Sequence, residues 1–159
     1  MRFIVHEHHS TRLHYDFRLE IAGVLKSWAI PKGPSMNPSD KRLAVMVEDH
    51  PLEYGEFEGI IPQEHYGAGP VLIWDSGEFN PEGDPETALS NGRLIFSLDG
   101  KKLKGGFSLI LMKGRGKGND WLLIKGKDSF VKEDWKIKEE LTPAKKKKLL
   151  EKIPPCETS

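Results

Sequence analysis

The chain has 159 residues, 37% of them hydrophobic and 30% charged, with 16 Gly and 11 Pro, which describes one soluble, loop-rich globular domain and excludes a disordered or fibrous chain. Its 24 Lys and Arg against 24 Asp and Glu give a formal net charge of +0, which excludes the uniform basic field of a non-specific DNA coat but not a protein that grips only a nucleic-acid end. The single Cys156, in a proline-flanked tail, excludes a disulfide framework and a Cys-based zinc site. No apolar run is long enough to span a bilayer and nothing near Met1 resembles a signal peptide, so a cytoplasmic location without a membrane partner is expected.

Met1 to Val5 lead straight into a histidine cluster that holds four of the chain's 6 His: His6, His8, His9 and His14. Leu13, Tyr15, Phe17 and Leu19 then alternate with His14, Asp16, Arg18 and Glu20, which predicts a strand with one apolar and one chemical face. Gly23 marks a turn, and residues 24–30 resume a strand pattern, predicting a hairpin. Residues 31–35 break the pattern. A strand over 43–48 ends at Asp49-His50-Pro51, leaving His50 at a strand end. Gly55, Gly59, Gly67 and Gly69, with Pro62 between them, make 55–69 an irregular loop of the functional kind. An apolar run over 70–75 is bounded by Ser76-Gly77. Asp84 as N-cap, Pro85 and Gly92 bracket a short helix over 85–91.

Three more strands follow, over 93–98, 107–112 and 121–125, turned by Asp99-Gly100 and by a loop with Gly114, Gly116 and Gly118. Thr142-Pro143 caps a Lys-rich helix reaching to about residue 152, before Pro154-Pro155. Seven or so short strands with two minor helices predict a mainly β chain, a small antiparallel β-barrel or sandwich with one or two short helices. Three basic groups, Lys101/Lys102/Lys104, Lys113/Arg115/Lys117 and Lys145 to Lys148, each read singly as a solvated turn or helix face.

The chemistry concentrates on the second half of the histidine segment. Neighbouring side chains on one strand face lie roughly 6.5–7 Å apart, so His14 and Asp16 can ligate one metal ion while Arg18, one step along, meets an anion that the ion holds. His8 adds a second imidazole upstream, and His6 and His9 crowd the same region as alternative ligands. On an arbitrary strand such alternation is simply the wet face. The clustering of imidazoles, common metal ligands near neutral pH, tips the reading toward a metal or phosphate site with open coordination positions. Two His and one Asp also describe a non-haem iron triad, so a barrel oxygenase is one alternative, and a non-catalytic DNA-end-binding barrel is another. Arg18 and His50 favour a phosphate. Tyr54 reads as a half-buried aromatic near His50, while His65 and Tyr66 lie in the glycine loop, where an exposed His is the ordinary reading.

Taken in order, His8-x5-His14-Tyr15-Asp16-Phe17-Arg18-Leu19-Glu20, Ser27-Trp28-Ala29-Ile30-Pro31-Lys32-Gly33-Pro34, Val47-Glu48-Asp49-His50-Pro51-Leu52-Glu53-Tyr54, Phe57-Glu58-Gly59, Tyr66-Gly67-Ala68-Gly69 and Lys104-Gly105-Gly106 resemble the 3′-phosphoesterase family. That family includes the end-healing module of bacterial DNA ligase D and its free-standing relatives, and the likeness runs from Phe3 to about Asp128. It implies a manganese-dependent enzyme, with other divalent transition metals as substitutes, that removes a 3′-terminal ribonucleoside and then the 3′-phosphate to leave a 3′-OH. It implies His8, His14 and Asp16 as metal ligands, Arg18, His50 and Tyr54 as catalytic groups, and Glu48, Lys32 and Arg42 as supporting or substrate-binding groups. The implied partners are DNA or DNA/RNA 3′ ends at a primer-template, with a ligase and polymerase supplied in trans. The expected organisation is a phosphoesterase β-barrel over 1–130 and a Lys-rich helix and tail over 131–159.

Overall fold

In the computed structural model, the described residues are 1–114 and 116–155; Arg115 of the second basic group and Cys156 lie outside them. Nine strands form one sheet: β1 (Arg2–His9), β2 (Leu13–Ile21), β3 (Val24–Ile30), β4 (Arg42–His50), β5 (Gly59–Ile61), β6 (Gly69–Pro81), β7 (Arg93–Gly100), β8 (Lys104–Leu111) and β9 (Asp120–Lys125). The order β1-β2-β3-β4-β9-β8-β7-β6 closes through a β1–β6 pairing into an eight-stranded antiparallel barrel, with β5 outside the ring on β6. The expected barrel or sandwich is therefore a barrel. Two short helices, α1 (Pro85–Ser90) and α2 (Pro143–Lys148), complete it.

The β2–β3 hairpin turns on Ala22 and Gly23, both with positive φ (55° and 78°), the backbone a two-residue turn between twisted strands requires. It pairs Ile21 with Val24 and hence Arg18 with Ser27. The apolar face of β2 points into the barrel, where Tyr15, Phe17 and Leu19 join Phe3, Trp28 and Phe96 in the main core. Phe17 and Phe107 flank Phe96 with ring centroids at 6.1 and 6.0 Å. A barrel of this size is filled by its own side chains, so chemistry has to be built on its wall. A second, smaller cluster of Ile4, Leu25, Tyr54, Phe57, Ile61 and Val71 does this. It lies on the outer face of β1 and β3 beneath residues 52–61, which form a 3-10 turn (Leu52–Glu56) followed by β5.

Four differences from the sequence reading have physical causes. β1 is a full strand although His6 to His9 interrupt its apolar pattern, because both of its faces are covered: residues 3–8 are all buried. The 55–69 segment is not wholly irregular, since it contains β5. β6 runs past Ser76-Gly77 to Pro81, because a Cβ on Gly77 would stand 2.0 Å from the Asp99 carbonyl oxygen; the glycine is there for close strand approach. Finally, α2 stops at Lys148, and the chain continues extended so that Leu150 accepts a hydrogen bond from the Ile60 amide and Lys152 donates one to the Ile60 carbonyl, both at 2.9 Å.

The segment before α2 closes one barrel end. Trp135 and Ile137 pack on the main core, the Trp135 indole donates to the Pro34 carbonyl (3.0 Å) and the Trp74 indole to that of Lys138 (2.8 Å). Buried Glu7 accepts from the backbone amides of Glu140 and Leu141 at 2.6 and 3.0 Å. Asp75 plays a comparable part at the β7–β8 turn. Its buried carboxylate accepts from the amides of Ser76, Lys101, Lys102 and Leu103 at 2.8–3.1 Å. An amide side chain has only one oxygen for these four donors. Asp75→Asn is expected to cost about 2–4 kcal/mol of stability, measured as a lower urea midpoint at constant m-value; an unchanged midpoint would show that the turn holds without the carboxylate.

Candidate metal centre

The chemical face of β2 meets the matching face of β1 on the barrel's outer wall, where His8 pairs with His14 and His6 with Asp16. One atom organises the cluster. Asp16 Oδ2 lies 3.4 Å from His8 Nδ1, 3.3 Å from His14 Nε2 and 3.5 Å from an Arg18 nitrogen. Ligand atoms of His8, His14 and Asp16 all fall within 4.8 Å of one another. The remaining ring nitrogens are accounted for: His8 Nε2 donates to the Gly67 carbonyl at 2.6 Å and His14 Nδ1 to that of Arg12 at 3.2 Å. A backbone carbonyl behind each imidazole orients the ring so that its other nitrogen faces Asp16 and is the one available to a metal, the arrangement metal-ligating histidines favour. Two imidazole nitrogens and a carboxylate oxygen converging in this way fit a divalent transition metal.

His6 belongs to a different part of the site. Its Nδ1 accepts from Arg18 Nε at 2.9 Å and its Nε2 donates to the Phe57 carbonyl at 3.0 Å, so both nitrogens are committed. Burial, reinforced by the Arg18 charge, holds its pKa well below the ordinary value and the ring neutral. His9 points to the other face and bonds Glu7 at 2.6 Å. With Glu139 these two form a second group of nearby donors, but the Glu7 oxygens already cap the amides of residues 140 and 141, so the group serves as a clamp on the chain.

Arg18 is 2% exposed and every side of its guanidinium is engaged. Besides His6 and Asp16 it bonds the Ser27 hydroxyl at 2.9 Å and approaches His50 Nδ1 at 3.2 Å, and its Cζ lies 4.7 Å from the Tyr54 ring centroid. His50 reaches it through a bulge. Ser27 pairs with Val47 but Leu25 with His50, so β4 carries one extra residue, and the extra residue re-aims the side chain. Without it Asp49 would face outward here. Tyr54, on the 3-10 turn, packs against His6 and His50 with centroids at 5.3 and 4.5 Å.

Electrostatics divide the groups sharply. Burial opposes ionisation of Asp16, yet hydrogen bonds from His14 and His8 and the Arg18 charge outweigh it and hold the carboxyl far below the usual range. His14 is half-buried, which lowers its pKa, but its bond to Asp16 outweighs this and raises it. His50 is lowered to about 4, by burial and then by Arg18, and is neutral near pH 7. Its Nδ1 lies 3.0 Å from the Glu48 carbonyl as well as near Arg18, two contacts that require opposite protonation at that nitrogen; the Arg18 bond leaves the proton on Nε2.

The fold thus brings together His8, His14, Asp16, Arg18, His50 and Tyr54. Of the other three candidates, Lys32 is exposed in the turn after β3. Arg42 pairs with Asp40 at 3.6 Å on the parity of core-facing Ala44, and Glu48 has an exposed side chain on the β4 bulge. Ser27 and the Phe57 and Gly67 carbonyls bond the cluster; the motifs contain these residues but assign them no part, although hairpin register alone places Ser27 opposite Arg18.

A family model described as the DNA Ligase D 3′-phosphoesterase domain matches residues 6–111. The chain belongs to this family. Among its relatives, the multifunctional non-homologous end joining protein LigD of Pseudomonas aeruginosa is 57% identical over 128 residues, covering 80% of this chain. The Mycobacterium tuberculosis protein of that type, a multifunctional non-homologous end joining DNA repair protein, is 50% identical over 123 residues, or 76% of this chain. The chain spans 15% of the length of each of these relatives. The matched range contains every residue of the cluster just described: His6, His8, His14, Asp16, Arg18, His50 and Tyr54.

The depressed His50 pKa has a signed consequence. A histidine kept neutral by folding contributes its full stability above the unfolded pKa of about 6.5 and loses it as pH falls toward its folded value of about 4; His6 acts in the same sense. The metal-stripped protein is expected to lose stability across that window, and His50→Gln, which cannot titrate, to lose less. Urea midpoints at pH 6.5 and pH 4 test this, and an equal loss in both proteins would remove His50 from the account.

Proposed function

We propose that this chain is a divalent-metal-dependent phosphoesterase that heals DNA 3′ ends, removing a terminal ribonucleoside and then the 3′-phosphate, so that a polymerase and ligase supplied in trans can complete end joining in the cytoplasm. The observation that carries the reading is the single Asp16 oxygen shared by two imidazoles and flanked by a buried guanidinium. His8, His14 and Asp16 would hold the metal, manganese by family resemblance. When bound, it supplies Lewis acidity toward a phosphoryl oxygen and lowers the pKa of bound water.

The protein's own groups do the rest. Arg18 has Nη2, 3.5 Å from Asp16, left for a charge-assisted bond to a phosphate, while its bonds to His6, Ser27 and His50 and its packing under Tyr54 fix the guanidinium in place. His50, with Nδ1 accepting from Arg18, presents Nε2–H to a non-bridging oxygen or to the departing oxygen. Its neutrality at pH 7 favours the first role, donation to the phosphate. In the diester step, water oxygen bonds to phosphorus, the bond to O5′ of the terminal ribonucleoside breaks, that oxygen leaves protonated and a 3′-phosphate remains. In the monoester step, a second water bonds to phosphorus, the bond to the primer 3′-oxygen breaks, and phosphate and a 3′-OH result.

An oxygenase using the same two His and one Asp has no role for Arg18 and His50 beside the ligands. A non-catalytic DNA-end-binding barrel has no role for the open positions. DNA ending in one ribonucleotide or in a 3′-phosphate, incubated with manganese or with chelator, separates the three: metal-dependent conversion of both ends is expected, and binding without conversion would overturn the reading. Asp16→Ala and His14→Ala should lose manganese uptake and both activities. His50→Ala should keep manganese and lose about 10²–10⁴-fold in rate. Arg18→Lys should also bind manganese normally yet lose about 10²-fold or more, with the more highly charged monoester hit harder; full activity in Arg18→Lys and Arg18→Ala would place Arg18 outside the site.

A further inference from the structure

Beside the metal centre the structure has a cleft of about 450 Å³ between the β1–β2 turn and the glycine loop, its walls including Ser10, Thr11, Gln63, His65 and Gly67. Two of these walls are in contact with the centre itself. Ser10 Oγ is 3.4 Å from His14 Nδ1, and the Gly67 carbonyl holds His8 Nε2 at 2.6 Å. The loop is shaped to stay close. Gly67 has a φ of +75° and a Cβ there would stand 3.2 Å from His8 Cε1, while a Cβ on Gly69 (φ +125°) would stand 2.0 Å from the His9 carbonyl oxygen. A cavity of this size is in the range of small-molecule sites.

The lining decides what it can take. Among the described residues that line it there is no Lys, Arg, Asp or Glu. A DNA strand carries a phosphate at each nucleotide and is held by cations, so this wall suits an uncharged group rich in hydrogen-bonding positions. Ser10, Thr11 and Gln63 supply hydroxyl and amide partners for sugar and base. Tyr66 is not part of the wall itself, but it lies in sequence between the lining residues His65 and Gly67 and is 95% exposed, an aromatic face of the kind on which bases stack.

We infer that this cleft receives the terminal ribonucleoside attached through its O5′ to the scissile phosphate, with Tyr66 stacking on the base and Ser10, Thr11 and Gln63 contacting the sugar and base edge. The inference rests on the phosphoesterase reading above and adds the subsite that distinguishes its two substrates. In the diester the cleft is filled; in the 3′-phosphate there is nothing to fill it. Damage to the cleft therefore falls on one substrate more than on the other, whereas general damage falls on both.

The readout is the ratio of kcat/KM for DNA ending in one ribonucleotide to that for the same DNA ending in a 3′-phosphate, at saturating manganese. Tyr66→Ala is expected to lower this ratio by about 5- to 100-fold, as removal of a stacking partner does, Tyr66→Phe to restore it, and Gln63→Ala with Thr11→Val to lower it independently. An unchanged ratio in Tyr66→Ala and in the Gln63/Thr11 pair would overturn the assignment. Fluorescence anisotropy with the two DNA ends under chelator gives a second measure that needs no turnover. If the wild type converts neither end, the phosphoesterase reading fails on its own, and the cleft is then judged by binding: a preference for the ribonucleotide end that Tyr66→Ala removes supports it, and no preference overturns it.

Discussion

The site depends on one buried cation. Burying a guanidinium costs several kcal/mol unless its donors are matched and its charge is answered, and Arg18 meets that demand with His6, Ser27, His50 and Asp16 from four different strands. Each partner is in turn constrained by it. His6 is locked as a neutral acceptor, His50 is kept neutral and biased toward the Nε2–H tautomer, and Asp16 is kept ionised. Removing the charge would loosen all three together, which is why the network behaves as a unit and why its members should not be assigned separate, additive worth.

The charge balance also bears on the proposed chemistry. Arg18 and Asp16 alone nearly cancel, so the protein does not carry a standing anion hole that would trap free phosphate. A divalent ion among His8, His14 and Asp16 would turn this neutral arrangement into a strongly positive one, matched to a phosphate whose charge is greatest in the monoester. A neutral chain can thus carry a local field of the required sign without the general basicity that would bind DNA everywhere.

How far this could be read beforehand follows from which interactions are local. The alternation in β2 and the turn at Gly23 determine the two faces and the Arg18–Ser27 register, because a hairpin's turn position determines its pairing. The convergence of His8 on His14 follows from β1 pairing with β2, yet β1 itself is hidden: its apolar alternation fails at His6 to His9 because both faces are buried, one in the barrel end and one under residues 52–61. Other features are non-local and have no sequence signature. The β4 bulge that turns His50 outward depends on pairing with β3 around Leu25 and Ser27. The commitment of His6 to Arg18 rather than to a metal depends on the Phe57 carbonyl, 51 residues away in sequence.

Placing the site on the outer wall of a filled barrel has a structural consequence. The wall is rigid, since its inner face is the main core, but the cover over it is slight: one 3-10 turn, a three-residue strand and a cluster of six buried residues. A cover of that size buries too little apolar surface to hold itself firmly. It is secured at two edges instead. Arg2, on β1, pairs with Glu56 at 3.9 Å, and the extended chain after α2 binds Ile60 through both of its backbone groups at 2.9 Å, with Gly59 bare because a Cβ would stand 2.9 Å from the Leu150 carbonyl oxygen. That extended chain is itself anchored upstream by Glu7, whose neighbours on β1 are His6 and His8. The same strand therefore supplies a proposed metal ligand, the acceptor that orients Arg18, and the clamp that holds the segment reaching over to the cover, so the position of the cover and the geometry of the site are set by one element.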